Sequence, residues 1–79
     1  MSARSTLTLG DIPIGASVRI RRLNSRPDVS TRLRELGFCE NEVVRCVTHG
    51  YGNIICEIRN SRVGLDTGLA RGIVVSYLE

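Results

Sequence analysis

The stretch Ser30-Thr31-Arg32-Leu33-Arg34-Glu35-Leu36-Gly37-Phe38 decides how this chain folds. Leu33 and Leu36 stand three residues apart, and Val29 stands four before Leu33. That spacing lays all three on one face of a helix. Gly37 then offers a left-handed position just past the helix end, where a residue with a Cβ would be strained. Phe38 follows at the position whose apolar side chain folds back onto the third residue from the end, here Leu33. A helix of two turns does not persist alone, because nucleation costs too much for so short a segment. Its apolar face must therefore be held by the rest of the chain.

The rest of the chain reads as strand. Val18 to Leu23 alternates, with Val18 and Ile20 facing one way and Arg19 and Arg21 the other, so a half-buried strand with a basic outer face is expected. Asn24 to Asp28 is a loop, with Pro27-Asp28 as turn chemistry and Asp28 or Ser30 available to cap the helix. After the helix, Cys39-Glu40-Asn41-Glu42 is a tight connection in which Asn41 suits a positive φ. Val43 to Thr48 and Ile54 to Arg59 form a hairpin around the glycine-rich loop His49-Gly50-Tyr51-Gly52-Asn53. Asn60-Ser61 is a two-residue turn leading into Arg62 to Leu65. Asp66 to Gly72 is a turn or single helical turn, and Ile73 to Tyr77 is the last strand. Before all of these, Leu7 to Ala16 is an irregular lead-in, since Pro13 forbids a regular central strand. Residues 1–6 are polar and are expected to be flexible.

The fold class expected is mainly β: a small barrel of about five strands, with one short helix between strands one and two. A closed barrel leaves no exposed strand edge. Val29, Leu33, Leu36 and Phe38 would plug one end of it.

The chain has 79 residues, enough for a single domain that buries roughly 60% of its unfolded surface. There is no room for an elaborate substrate cleft. Its basic residues are eleven arginines, against eight acids, for a net charge of +3. Residues 1–40 carry seven arginines and four acids, while residues 41–79 carry four of each, so the excess lies in the first half. Such a surface favours an acidic partner, anionic lipid or nucleic acid. Cys39, Cys46 and Cys56 contain no C-x-x-C pair, and three thiols cannot all pair within one chain. With no apolar leader segment and no run near the ~20 residues of a membrane span, the chain reads as cytosolic with reduced thiols and no direct membrane insertion.

No catalytic grouping is evident. His49 stands alone beside Gly50, and the carboxylates are scattered, with Glu40 and Glu42 the closest pair. No catalytic, cofactor or metal residues are assigned. Cys39, Cys46, Cys56 and His49 are the only soft donors for a metal-binding regulatory module, and their spacing is unlike that of a structural metal site. Nucleic acid binding through Arg19, Arg21, Arg22, Arg26, Arg32 and Arg34 is the main alternative function. It is disfavoured by the low net charge and by strands without stacking aromatics.

The ordered set Leu9-x-x-Ile12-x-x-Gly15-x-x-Val18, Arg32-Leu33-x-x-Leu36-Gly37-Phe38, Val43, Val63-x-Leu65 and Ala70-x-x-Ile73-x-Val75 resembles the FeoA family. That family is the small cytosolic component of bacterial ferrous-iron uptake, and its domain also ends iron-dependent transcriptional repressors. The resemblance runs from about Leu7 to Val75 and matches the stand-alone form. It implies an SH3-like β-barrel without catalysis of its own. It also implies a partner: FeoB, a membrane iron transporter with a cytosolic GTPase domain. The family often has Pro-Gly after the helix where this chain has Glu40-Asn41, a turn Asn41 can sustain. The cysteines are outside the family pattern. The residues expected to meet the partner are Arg32, Glu35 and Glu40, on the solvent side and exit of the helix. Homo-oligomerisation stays open.

Overall fold

The computed structural model describes residues 6–78. Of the flexible segment expected at residues 1–6, only Thr6 falls within them. Five strands and two helices follow a 3-10 turn at Leu9–Asp11: β1 (Ser17–Leu23), α1 (Pro27–Glu35), β2 (Val43–His49), β3 (Asn53–Ile58), β4 (Ser61–Asp66), α2 (Thr67–Ala70) and β5 (Ile73–Tyr77). The strands form one antiparallel sheet in the order β4-β3-β2-β1-β5. Its concave side holds a core of branched aliphatics, among them Val18, Ile20, Val44, Ile54, Ile73 and Val75, with Phe38 fully buried at its end.

The helix stop is built as the sequence dictates. The Phe38 N–H donates to the Leu33 carbonyl at 2.9 Å, and the Gly37 N–H donates to the Arg34 carbonyl at 3.0 Å. These two bonds define a Schellman terminus and require the φ of +105° found at Gly37. Leu33 and Phe38 are both buried, so the helix is pinned to the core through its last turn. Burying a side chain such as Phe38 is worth about 2 kcal/mol, more than so short a helix can gain by itself.

Four local features depart from the expected pattern. The helix starts at Pro27, and neither Asp28 nor Ser30 caps it; Arg26 occupies the N-cap without a side-chain bond. Proline at the first helical position loses nothing, because its missing N–H would have no partner there. Leu36 is 42% exposed and so does not plug the barrel. The β3–β4 turn is Arg59-Asn60, both at positive φ (52° and 66°), which is the type I′ geometry of two-residue hairpins. Finally, β1 and β2 each carry a bulge, between Ile20 and Arg22 and between Cys46 and Thr48. The first bulge advances the pleat by one residue, so Arg21 and Arg22 both face solvent and Leu23 packs against the core.

The lead-in covers one edge of the sheet. Thr8 bridges Val74, and the Val75 N–H donates to the Leu7 carbonyl at 3.0 Å. Asp11 fastens the 3-10 turn by accepting from both the Thr8 N–H (3.0 Å) and its hydroxyl (2.8 Å). At the opposite edge, β4 has β3 on one side and α1 facing its other.

Candidate functional site: a groove between the helix and the edge strand

An open groove of about 360 Å³ separates α1 from β4 and α2. The helix contributes Asp28, Val29, Arg32, Leu33 and Leu36, which recur at helical spacing along one flank. Gly64, Leu65, Asp66 and Leu69 form the other flank. The floor is apolar through Leu33 and Leu65, both buried. Leu36 and Leu69, 42% and 38% exposed, rise from it on opposite sides. Charged groups mark the rim. Arg32 has no carboxylate within ion-pair distance among the described residues, while Asp28 makes a loose 3.6 Å pair with the exposed Arg26. The Asp66 carboxylate accepts from the Gly68 N–H at 2.7 Å and so caps α2. Two half-exposed leucines over an apolar floor can seat the apolar side chains of a polypeptide, and Arg32 can meet an acidic group beside them.

Arg32 therefore belongs to the groove. Glu35 lies exposed on the same helix without a described partner. Glu40 lies elsewhere: its carboxylate takes a two-pronged hydrogen bond from Arg34, at 2.9 and 3.4 Å. That bond holds its pKa below the ordinary carboxylate value and raises that of Arg34. Glu42 is held in the same way by Arg59, whose hydrogen bond lowers the Glu42 pKa. Both pairs brace the connection that leaves the helix. Leu69, Gly64 and Asp66 had no signal in the sequence, because only the folded chain brings β4 and α2 beside α1.

The soft donors are dispersed. Cys46 and Cys56 are directly opposite each other on β2 and β3 and fully buried. Burial raises both thiol pKa values, that of Cys56 to about 12. Neutral thiols of this kind are weak ligands, since the thiolate is the form that binds metal. Cys39 points to the Arg34 carbonyl at 3.7 Å. His49 closes β2 rather than sitting in the loop, and its Nε2–H donates to the Ile12 carbonyl at 2.9 Å. Among the described residues no three His, Cys, Asp or Glu side chains gather as a metal site. The six arginines considered for nucleic acid do not form one patch either: Arg34 and Arg26 are paired, Arg32 lines the groove, and Arg19, Arg21 and Arg22 lie along β1.

A sequence profile of the FeoA domain matches residues 7–77. The chain belongs to the FeoA family. This family is a small accessory domain associated with ferrous-iron transport. Among solved structures, the FeoA protein of Chlorobium tepidum superposes with a TM-score of 0.85 at 19% identity, over 92% of this chain and 71% of that one. The FeoA of Stenotrophomonas maltophilia, described as a prokaryotic SH3 domain protein and solved with zinc, gives 0.74 at 29% identity over 89% of each chain. The T. acidophilum IdeR gives 0.81 at 13% identity, over 98% of this chain and 36% of that one. A comparison with curated proteins returned no match. The five-stranded fold with its short helix is thus the SH3-like barrel of FeoA proteins. No helix among the described residues is long and apolar enough to cross a membrane.

Proposed function

We propose that this protein is a non-catalytic cytosolic accessory of bacterial ferrous-iron uptake, which binds and regulates the FeoB transporter through its cytosolic GTPase region. The observation that carries this reading is the FeoA domain match, which spans residues 7–77. The Stenotrophomonas maltophilia relative is described as a possible ferrous-iron transport activating factor, which points the same way.

The α1–β4 groove is the surface we assign to the partner. It joins an apolar floor, two half-exposed leucines and an arginine without an ion pair among the described residues, the mixture of buried anchor and charged rim that protein interfaces use. Arg32 acts there directly, and Glu35 from the exposed side of the same helix. Glu40 acts through the ion pair that shapes the helix exit. The groove offers no nucleophile beside a general base, so regulation proceeds by binding. Titration calorimetry against the transporter's isolated GTPase region, with GDP and with a non-hydrolysable GTP analogue, tests the proposal. Saturable binding in at least one nucleotide state is expected. Absence of binding in every state overturns it.

A further inference from the structure

The outer face of β1 is a second surface, remote in the sheet from β4. Arg19 and Arg21 point outward by alternation, and the bulge turns Arg22 outward beside them. None of the three has a carboxylate within ion-pair distance among the described residues, whereas Arg26, Arg34, Arg45 and Arg59 all do. Their cross-strand neighbours are neutral: Val43 and Ser76 lie opposite Arg19, and Val74 lies opposite Arg22. Glu42, in the turn before β2, has its carboxylate on Arg59.

Two of the guanidinium groups are already oriented. Arg19 donates to the Asn41 carbonyl at 2.8 Å, and Arg21 donates from Nε to the Ser76 hydroxyl at 2.7 Å. Each keeps further N–H donors free, in the fork geometry that matches a phosphate oxygen pair. A shallow cleft of about 310 Å³ runs between them, bordered by Tyr77 and Leu78. Tyr77 is 51% exposed, Leu78 43% and Val43 39%, so the arginines are interleaved with apolar side chains.

We propose that this face docks on an anionic phospholipid surface. At a bilayer interface the phosphates lie just above the acyl boundary, so arginines and the apolar groups beside them find suitable surroundings at one depth. A single-stranded nucleic acid would require a run of stacking aromatics, and this face has one tyrosine. Three arginines give a weak, salt-sensitive attachment, which keeps the protein near a membrane without inserting it.

The test is flotation of the whole protein with vesicles of phosphatidylcholine alone and of phosphatidylcholine mixed with phosphatidylglycerol. Binding to the mixed vesicles at low salt, absent from the neutral ones and lost at high salt, is expected. At about a factor of five per arginine, R21Q/R22Q should lower the partition coefficient about 25-fold. The control R62Q/R71Q removes the same net charge from β4 and from the α2–β5 turn and should change it by less than about threefold. Circular dichroism verifies that both variants are folded. No binding of the parent protein to anionic vesicles, or equal losses in the two variants, overturns the proposal. So does binding of a poly-glutamate peptide, abolished by R21Q/R22Q, in a protein that ignores vesicles, since that assigns the face to an acidic polypeptide.

Discussion

Replacing Gly37 by alanine isolates the role of the helix stop. The φ of +105° at this position is one an L-residue adopts only under strain. Space is not the obstacle: a Cβ built there would meet nothing closer than Ile58 Cγ2 at 3.8 Å, an ordinary contact. The penalty is therefore conformational, about 1–2 kcal/mol, and it exceeds the few tenths to ~1 kcal/mol gained when alanine restricts the unfolded chain. A net loss of about 1 kcal/mol should lower the melting temperature by about 4–8 °C in a domain of this size. Chemical denaturation and calorimetry measure it. D-alanine is the decisive companion, because its mirror-image preference suits positive φ. Cys39, two residues on, permits ligation of a synthetic segment carrying either isomer. L-alanine should destabilise, and D-alanine should match or exceed glycine. Equal losses from both isomers would mean that the positive φ does not set the cost, and no loss from L-alanine would refute the left-handed terminus altogether.

Further outcomes follow from the same structure. Glu40 and Glu42 have pKa values lowered by Arg34 and Arg59, so their contribution is present above the ordinary carboxylate pKa and is lost as pH falls through the lowered native values. Stability measured against pH should therefore show an acid limb that shrinks in E40Q/E42Q; an identical limb would mean other groups cause it. Cys56 titrates in the opposite sense. Its pKa rises from an ordinary value of 9.0 to about 12, so stability should decline as pH climbs between those values, and less steeply in Cys56→Ala. In the native protein at mildly alkaline pH, Ellman's reagent should label Cys39 alone, and all three thiols in denaturant; rapid native labelling of Cys46 or Cys56 would contradict their burial. Leu33→Asp should unfold the domain in a circular dichroism melt, because it places a charge at a site 1% exposed. Arg32→Ala and Glu35→Ala should stay folded and weaken partner binding, and unchanged affinity in both would move the interface off α1.

The legible part of this fold was the part set by local chemistry. Leu33, Leu36, Gly37 and Phe38 announce both a helix face and its stop, because the Schellman terminus has fixed requirements at each position. The strands were readable from alternation wherever alternation held. It fails at Arg21-Arg22 and at Val47, and two adjacent arginines in an alternating strand are themselves the trace of a bulge. The hairpin turn lies at Arg59-Asn60, one residue before the Asn60-Ser61 that turn chemistry favours, because arginine is an unusual occupant of a positive φ. Of the expected partner residues, helical position alone fixed the exposure of Arg32 and Glu35. The Arg34–Glu40 pair could not be read, since it depends on how the chain turns after Gly37. Leu36 looked like core by periodicity but flanks the groove, because the opposing wall comes from β4 and α2, far along the chain. Long-range adjacency of this kind leaves no periodic mark in a single sequence.

The action proposed for this FeoA-family protein is binding of the transporter's GTPase region through the α1–β4 groove. Calorimetric titration of that region with the parent protein and with Leu36→Gln/Leu69→Gln tests it most directly, since both leucines are half-exposed and their replacement leaves the core intact. Saturable binding by the parent protein and a loss of about tenfold or more in the folded double variant are expected. Equal affinity of the two proteins, or no binding by either, would contradict it.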